Sequence, residues 1–239
     1  MRPLPFAARP LAARVVHALS LGTLLLCLGV GAARADGAAD WRLHATDEAT
    51  GTRVWLRLRA DGRTEFRGVT TIRARLSSLV AALRDVERMP QWVYRQRSAA
   101  DLSTDGDLGG LSRVVFAMPW PLSDREALVR WRLVQDPATL AVTLSGQADP
   151  DAAPPDPAFV RMPSFASTWQ LTPQAPGAVE VVFEGHGDLG GSLGWGLLRS
   201  FAAAAAWEAP LRTLVALHAF VAQPGIADAA LPYLREPAP

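Results

Sequence analysis

From residue 94 to residue 186 the chain alternates apolar and polar side chains almost without a break. From 193 to 222 it then becomes a nearly continuous apolar run with helical spacing. This succession limits the folds open to it. A sheet with one apolar face needs a cover, and a helix that is apolar all round has to be buried against something. Each can satisfy the other. The strand-like segments are 94–102, 111–119, 125–135, 139–146, 159–171 and 178–186, separated by Asp105-Gly106, Pro119-Trp120-Pro121, Asp136-Pro137, the proline-rich stretch 148–157 and Ala175-Pro176-Gly177. Such short connections make neighbouring strands antiparallel. Pro210 inside the helical run is expected to kink it or split it in two.

Before this region, residues 52–58 and the segment "TEFRGVTTIRA" alternate around Asp61-Gly62, which reads as a hairpin. The period then changes. Leu76, Leu79, Val80, Leu83, Val86 and Met89 are three or four apart and predict an amphipathic helix over 76–88, ended by Pro90. The order is therefore hairpin, helix, long antiparallel meander, long helix.

The N-terminus reads as an export signal. Arg2, Arg9 and Arg14 precede the apolar stretch "VVHALSLGTLLLCLGVGAA", and Ala33-Arg34-Ala35 has the small-x-small pattern of a cleavage site. A lipoprotein site at Cys27 is disfavoured because Leu26 stands where a small residue is wanted. Four of the 24 basic residues and none of the 23 acidic ones precede Asp36, so residues 36–239 carry 20 basic and 23 acidic side chains, a net charge of −3. That balance argues against a nucleic-acid partner. The one cysteine leaves with the signal, so no disulfide supports the rest, and about 200 residues can build a core without one. Domains are expected at 1–35 (signal peptide), 36–225 and 226–239 (a polar tail), and the location as exported, periplasmic in a two-membrane cell.

Three stretches, taken together, resemble START-type (StAR-related lipid-transfer) domains of the helix-grip superfamily. The first is "TEFRGVTTIRARLSSLVAALRDVERMPQW", a strand with Phe-Arg-Gly, a helix and Pro-x-Trp. The second is the corner "PWPLSDRE", and the third is "STWQLTPQAPGAVEVVFEGHGDLGGSLGWGLL", which matches the family's last strands and the entry to its C-terminal helix. The resemblance spans about residues 40–222. It implies an α+β helix-grip fold, in which a curved antiparallel β-sheet wraps around a long C-terminal α-helix. It also implies a tunnel between sheet and helix that holds one lipid-like molecule without catalysis. Arg125, at the corner, is expected to pair with a local carboxylate or carbonyl.

Alternation and the resemblance together select candidate ligand-binding residues. They are Phe116 and Met118 on one strand, Val129 and Trp131 on the next, then Leu140, Val142 and Phe183. On the helix they are Leu197, Phe201, Ala204 and Ala205, where the small residues Ala202–Ala206 would leave room. Apolar residues at these spacings serve a filled core more often than a cavity. Some cholesterol-binding members of the family place an acid and an arginine inside the cavity. Alignment by eye puts Ser98 and Trp131 at those positions, which removes that pair and leaves Ser98 as a polar contact. The lip is expected at Asp136-Pro137 and at 187–194, rich in glycine.

Other readings compete. Gly190-Gly191-Ser192-Leu193-Gly194 satisfies G-x-S-x-G, with Glu208 and His218 downstream, but both would share one helix with Ser192 instead of converging on it from separate loops. A helix-grip enzyme of cyclase or aromatase type is a further alternative. His186 and Asp188 alone do not make a metal site. The expectation is a non-enzymatic monomer without cofactor or metal, whose partners are a hydrophobic ligand and, transiently, a membrane surface.

Overall fold

The computed structural model describes residues 40–175, 177–191 and 195–237; the side chains of Ala175 and of 195–199 stand outside that description. The expected signal at 1–35 therefore lies outside the described residues. Strands β1 (Arg42–Asp47), β2 (Thr52–Leu58) and β3 (Thr64–Ile72) are followed by α1 (Leu76–Arg84) and a 3-10 turn, Met89–Gln91. Then come β4 (Gln96–Asp105), β5 (Gly109–Phe116), β6 (Arg125–Gln135), β7 (Val142–Ala148), β8 (Val160–Arg161), β9 (Ser164–Ala175), β10 (Ala178–Asp188) and α2 (Trp195–Phe220).

The sheet runs β1-β2-β3-β10-β9-β7-β6-β5-β4, every pair antiparallel except the short β8, which lies parallel beside β6. The N-terminal hairpin joins the end of the meander through β3 and β10, with Phe66 opposite Gly185 and Ile72 opposite Val179. Helix α2 packs on β1, β2 and β3. Gly68 makes this approach close: a Cβ there would lie 2.6 Å from Leu214 Cδ1 and 3.6 Å from Pro210 Cβ. Pro210 is buried in that contact, and α2 continues through it as one helix. The expected split does not occur; packing against β3 outweighs the one hydrogen bond that a proline removes.

Other differences have local causes. β1 was not foreseen; it is an edge strand, mostly exposed, with little apolar alternation to reveal it. Helix α1 ends at Arg84, short of 88. Asp85 accepts the Arg88 backbone N–H at 3.2 Å and pairs with the Arg88 side chain, so it offers the chain a turn in place of another helical residue. Pro163 divides the strand expected over 159–171 into β8 and β9. Arg161 on β8 donates to Glu126 Oε1 at 2.9 Å and to the carbonyls of Pro150, Ala153 and Pro154, which holds the proline-rich loop against β6.

The segment after α2 is not a free polar tail. Ile226 is buried, Leu231, Tyr233 and Leu234 pack on the main core, and the Glu236 carboxylate accepts the N–H groups of Leu76 (3.2 Å) and Ser77 (2.7 Å) at the start of α1. Through residue 237 it belongs to the domain.

Candidate ligand-binding site

Beneath the first half of α2 the sheet curves away and leaves a cavity of about 720 Å³. Only the later part of the helix, Pro210, Leu214 and Leu217, sits down on β3 and the main core. The cavity-facing side of α2 is Ala202, Ala205, Ala206, Ala209 and Thr213, at helical spacing. Small side chains there keep the helix from filling the space. Opposite stand aromatic rings: Trp169 and Phe183 stack with centroids 3.8 Å apart, Phe66 meets Phe183 edge-on at 4.8 Å, and Phe116 lies 6.1 Å from Phe165. Such a wall suits a hydrophobic molecule and offers it few polar contacts.

Of the residues selected from sequence, Phe116, Met118, Val129, Trp131, Phe183, Phe201 and Ala205 line this cavity. Four described ones do not. Ser98 is exposed on the other face of β4, in a shallow crevice with Arg97 and Asp124. The cause is a bulge: Gln96 pairs with Phe116 and lines the cavity, but the register shifts before Ser98, so simple alternation fails there. Leu140 occupies the β6–β7 turn at φ 60°, and β7 begins only at Val142. Val142 is fully buried core, and Ala204 is not among the residues that line the space. Leu197 falls among the side chains outside the described residues.

Of the two segments expected at the lip, one borders the cavity and the other does not. Gly187, Asp188 and Leu189 border the cavity. The Asp136-Pro137 turn does not: it is tied to the C-terminal segment, where Gln135 and Arg235 exchange two hydrogen bonds (2.8 and 2.9 Å) and Arg235 reaches the Pro137 carbonyl.

Several lining residues escaped the sequence reading. Met89, Trp92, Tyr94 and Arg95 come from the irregular segment after α1, where no periodicity gives a phase. That segment clasps α2. The Tyr94 hydroxyl donates to Glu208 Oε2 at 3.0 Å, its backbone N–H donates to Thr213 Oγ1 at 3.0 Å, and the Arg95 guanidinium lies 5.2 Å from the Phe201 ring centre. On the opposite side the corner at Arg125 does similar work. Arg125 is 3% exposed and donates to the carbonyls of Ser123, Leu189 (3.0 Å) and Gly190 (3.3 Å). Its partners are carbonyls, and it fastens the segment leading to α2.

The ionisable lining is sparse. Among the described residues it comprises Arg63, Arg84, Arg95, Asp188, His186 and Tyr94. Burial, and then the neighbouring Arg59 and Arg63, hold the His186 pKa below its ordinary value, so its ring is neutral near pH 7. Glu208 is engaged with Tyr94 and Arg212, and His218 bonds Thr70 Oγ1 at 2.9 Å on the β3 side of α2. Ser192 lies outside the described residues. Among the described residues no cluster of His, Cys, Asp and Glu could hold a metal ion.

A curved antiparallel sheet gripping one long helix over an aromatic-walled cavity defines a helix-grip protein, of α+β class. No family model matches the chain. A relative from Pseudomonas aeruginosa, itself uncharacterized, is 30% identical over 197 residues, 82% of this chain and 93% of its own. The solved structure of a STAR-related lipid transfer protein from Xanthomonas axonopodis superposes with TM-score 0.68 at 27% identity, covering 77% of this chain and all of that one. Human StAR-related lipid transfer protein 5 superposes with TM-score 0.64 at 18% identity, over 77% of this chain and 86% of its own. The chain has the START-type fold of these lipid-transfer domains and belongs to one family with the Pseudomonas relative.

Proposed function

We propose that the protein encloses a lipid or other hydrophobic small molecule in the cavity beneath α2, and carries or senses it outside the cytoplasm without transforming it. The observation that supports this is the cavity itself: about 720 Å³, walled by stacked aromatic rings and floored by alanines of α2. Exposed apolar surface costs about 25 cal/mol per Å², so enclosing roughly 300 Å² of a ligand removes several kcal/mol from its passage through water. The names of the bacterial and human neighbours, both lipid transfer proteins, agree with this reading. Export rests on the arginines, apolar stretch and Ala33-x-Ala35 of the first 35 residues.

Loading from a membrane surface fits the rim. Trp120, between Pro119 and Pro121, is 91% exposed just beyond the cavity-lining Met118, and Leu58, which borders the cavity from β2, is 54% exposed. An indole held outward beside an apolar opening has the chemistry of a bilayer interface.

Native mass spectrometry of the protein purified from its own periplasm, with organic extraction, is the test. A stoichiometric hydrophobic molecule is expected. An empty protein that also takes up no fluorescent lipid would overturn the proposal.

A further inference from the structure

Most of the cavity wall is hydrocarbon, so the polar groups that reach it without a partner of their own carry what information there is about the ligand. The charged ones have partners. Arg84 lies 3.6 Å from the centre of the Trp131 ring with Asp101 3.8 Å away, and Arg95 donates to the Tyr94 hydroxyl at 3.2 Å. Arg63 donates to Ser164 Oγ and faces Asp61 at 3.5 Å, while Asp188 accepts the Gly190 N–H at 2.9 Å. Three nitrogens are unpaired, Nε1 of Trp92 and of Trp131 and Nδ1 of His186, but all are buried beneath their neighbours, out of a ligand's reach. The hydroxyls of Ser112, Ser145 and Tyr94 donate to Asp101, the Arg132 carbonyl and Glu208, and Thr213 accepts the Tyr94 N–H. Thr64 is exposed at the rim.

Away from the rim, two lining side chains keep a polar atom without a partner among the described residues: the Ser167 hydroxyl and the Gln96 carbonyl. Both are neutral. Ser167 sits on β9 in the middle of the sheet, between Phe165 and Trp169 on the same face. Its row across the sheet runs Phe66, Gly185, Ser167, Gly146, Trp131, on β3, β10, β9, β7 and β6. The Phe66 ring covers Gly185, where a Cβ would lie 2.9 Å from its Cζ. The Trp131 ring turns the other way, over Gly110, where a Cβ would lie 2.9 Å from Cζ2. Between the two rings this row carries only the Ser167 side chain, and its Oγ stands 3.2 Å from where a Cβ at Gly146 would be. Gln96 is 7% exposed and belongs to the edge strand β4; its Nε2 meets the Met89 sulfur at 3.7 Å.

We infer that Ser167 Oγ holds the ligand's polar group in the middle of the cavity, and that this group is a hydroxyl: the ligand is a neutral lipid alcohol. The inference rests on the hydrophobic-ligand reading above and names its ligand class. A hydroxyl facing an apolar space is destabilising until it meets a partner. Serine both donates and accepts, whereas an amide carbonyl only accepts, and a ligand hydroxyl suits either. A carboxylate has no proton to give Gln96. Beside Ser167 it would bury its charge among Phe165, Trp169 and Phe183, with every described lining arginine already engaged.

The test uses protein expressed from the full-length gene and stripped of bound lipid, titrated calorimetrically at pH 8 with 1-dodecanol and with dodecanoate. The alcohol is expected to bind at least ~10-fold more tightly than the carboxylate. Ser167→Ala is expected to weaken dodecanol binding ~5-fold and dodecanoate binding little. Gln96→Met, which leaves Ser167 in place, should change either affinity by less than ~2-fold. The unfolding midpoint of stripped Ser167→Ala should not fall below that of the unsubstituted protein, because the hydroxyl bonds nothing within the chain; a lower midpoint would give Ser167 a structural role and overturn the assignment. A loss of dodecanol binding carried by Gln96→Met and not by Ser167→Ala would overturn it as well. Equal affinities for the two probes, unmoved by Ser167→Ala, would overturn the ligand class and leave a hydrophobic carrier standing. Binding of neither probe would count against the carrier reading itself, and this inference would fall with it.

Discussion

Arg125 Nε donates to the carbonyl oxygen of Leu189 across 3.0 Å, and so the first residue of β6 holds the segment that leads into α2. The same guanidinium reaches the Gly190 and Ser123 carbonyls. The adjoining carboxylate, Asp124, is occupied elsewhere: it accepts the Met118 N–H and pairs with Arg97. A buried charge held by several backbone dipoles has a well-defined position and little tolerance for shortening.

Replacing Arg125 by alanine leaves those carbonyls without their donor. A loss of about 2–3 kcal/mol in stability is expected, measured by denaturant unfolding. Hydrogen exchange should rise at 187–191 while β9 and the middle of β10 stay protected. Arg125→Lys keeps the charge without the planar fork and should fall between. Unchanged exchange at 187–191 in the alanine variant would show that this tie does not hold the segment.

Gly68 and Leu214 offer a second test. A Cβ at 68 would stand 2.6 Å from a methyl of Leu214, which is fully buried, so the methyl has little room to retreat. Gly68→Ala is expected to destabilise by about 1–3 kcal/mol through overpacking. In a double-mutant cycle with Leu214→Ala the two losses should be less than additive, because the smaller side chain makes room for the new methyl. Strict additivity would mean that helix and strand do not compete for that space.

These contacts show what the sequence could and could not convey. Alternation puts Val129 and Trp131 of β6 on the cavity side because the pairing of that strand has no register shift, and Phe183 on β10 follows by the same logic. The same logic misplaced Ser98, because a bulge adds a residue that alternation cannot count. On α2 an apolar run gives the helix no phase: Ala205 lines the cavity and Ala204 does not, although nothing in their neighbourhood tells them apart without the sheet. Trp92, Tyr94 and Arg95 sit where the chain has no period, and Arg95 takes φ 58°, a conformation few non-glycine residues adopt.

The Glu236 carboxylate stands 160 residues from the helix end it serves. It supplies acceptors for two N–H groups that have no partner within α1, and its charge faces the positive end of the helix dipole. Glu236→Ala is expected to lower stability by about 1 kcal/mol, and Glu236→Gln by less. Ending the chain at Gly225 also removes Ile226, Leu231 and Leu234 from the core, and should lower the midpoint far more than the point variant. A chain ending at Gly225 that melts like the intact one would show that the segment is not part of the folded unit.

His218 gives stability a pH dependence whose sign follows from its surroundings. Burial lowers its pKa below the ordinary 6.5, with Asp47 opposing weakly. Its Nε2 meets Thr70 Oγ1 at 2.9 Å, and Thr70 is itself 2% exposed. Well above pH 6.5 the ring is neutral in both folded and unfolded chains, and its contribution is constant. As pH falls below that value the unfolded chain takes up the proton first, so stability declines until the folded ring also titrates. His186 is lowered in the same direction. Asp61, Asp124 and Asp136 are held below 3.8, so they act at more acid pH and leave the histidine window distinct. Denaturant midpoints are therefore expected to be flat between about pH 7 and 8 and to fall between about 6.5 and 5. His218→Gln, whose amide can still hydrogen-bond Thr70, should show a shallower fall. An identical slope in that variant would assign the dependence to His186 or to other groups.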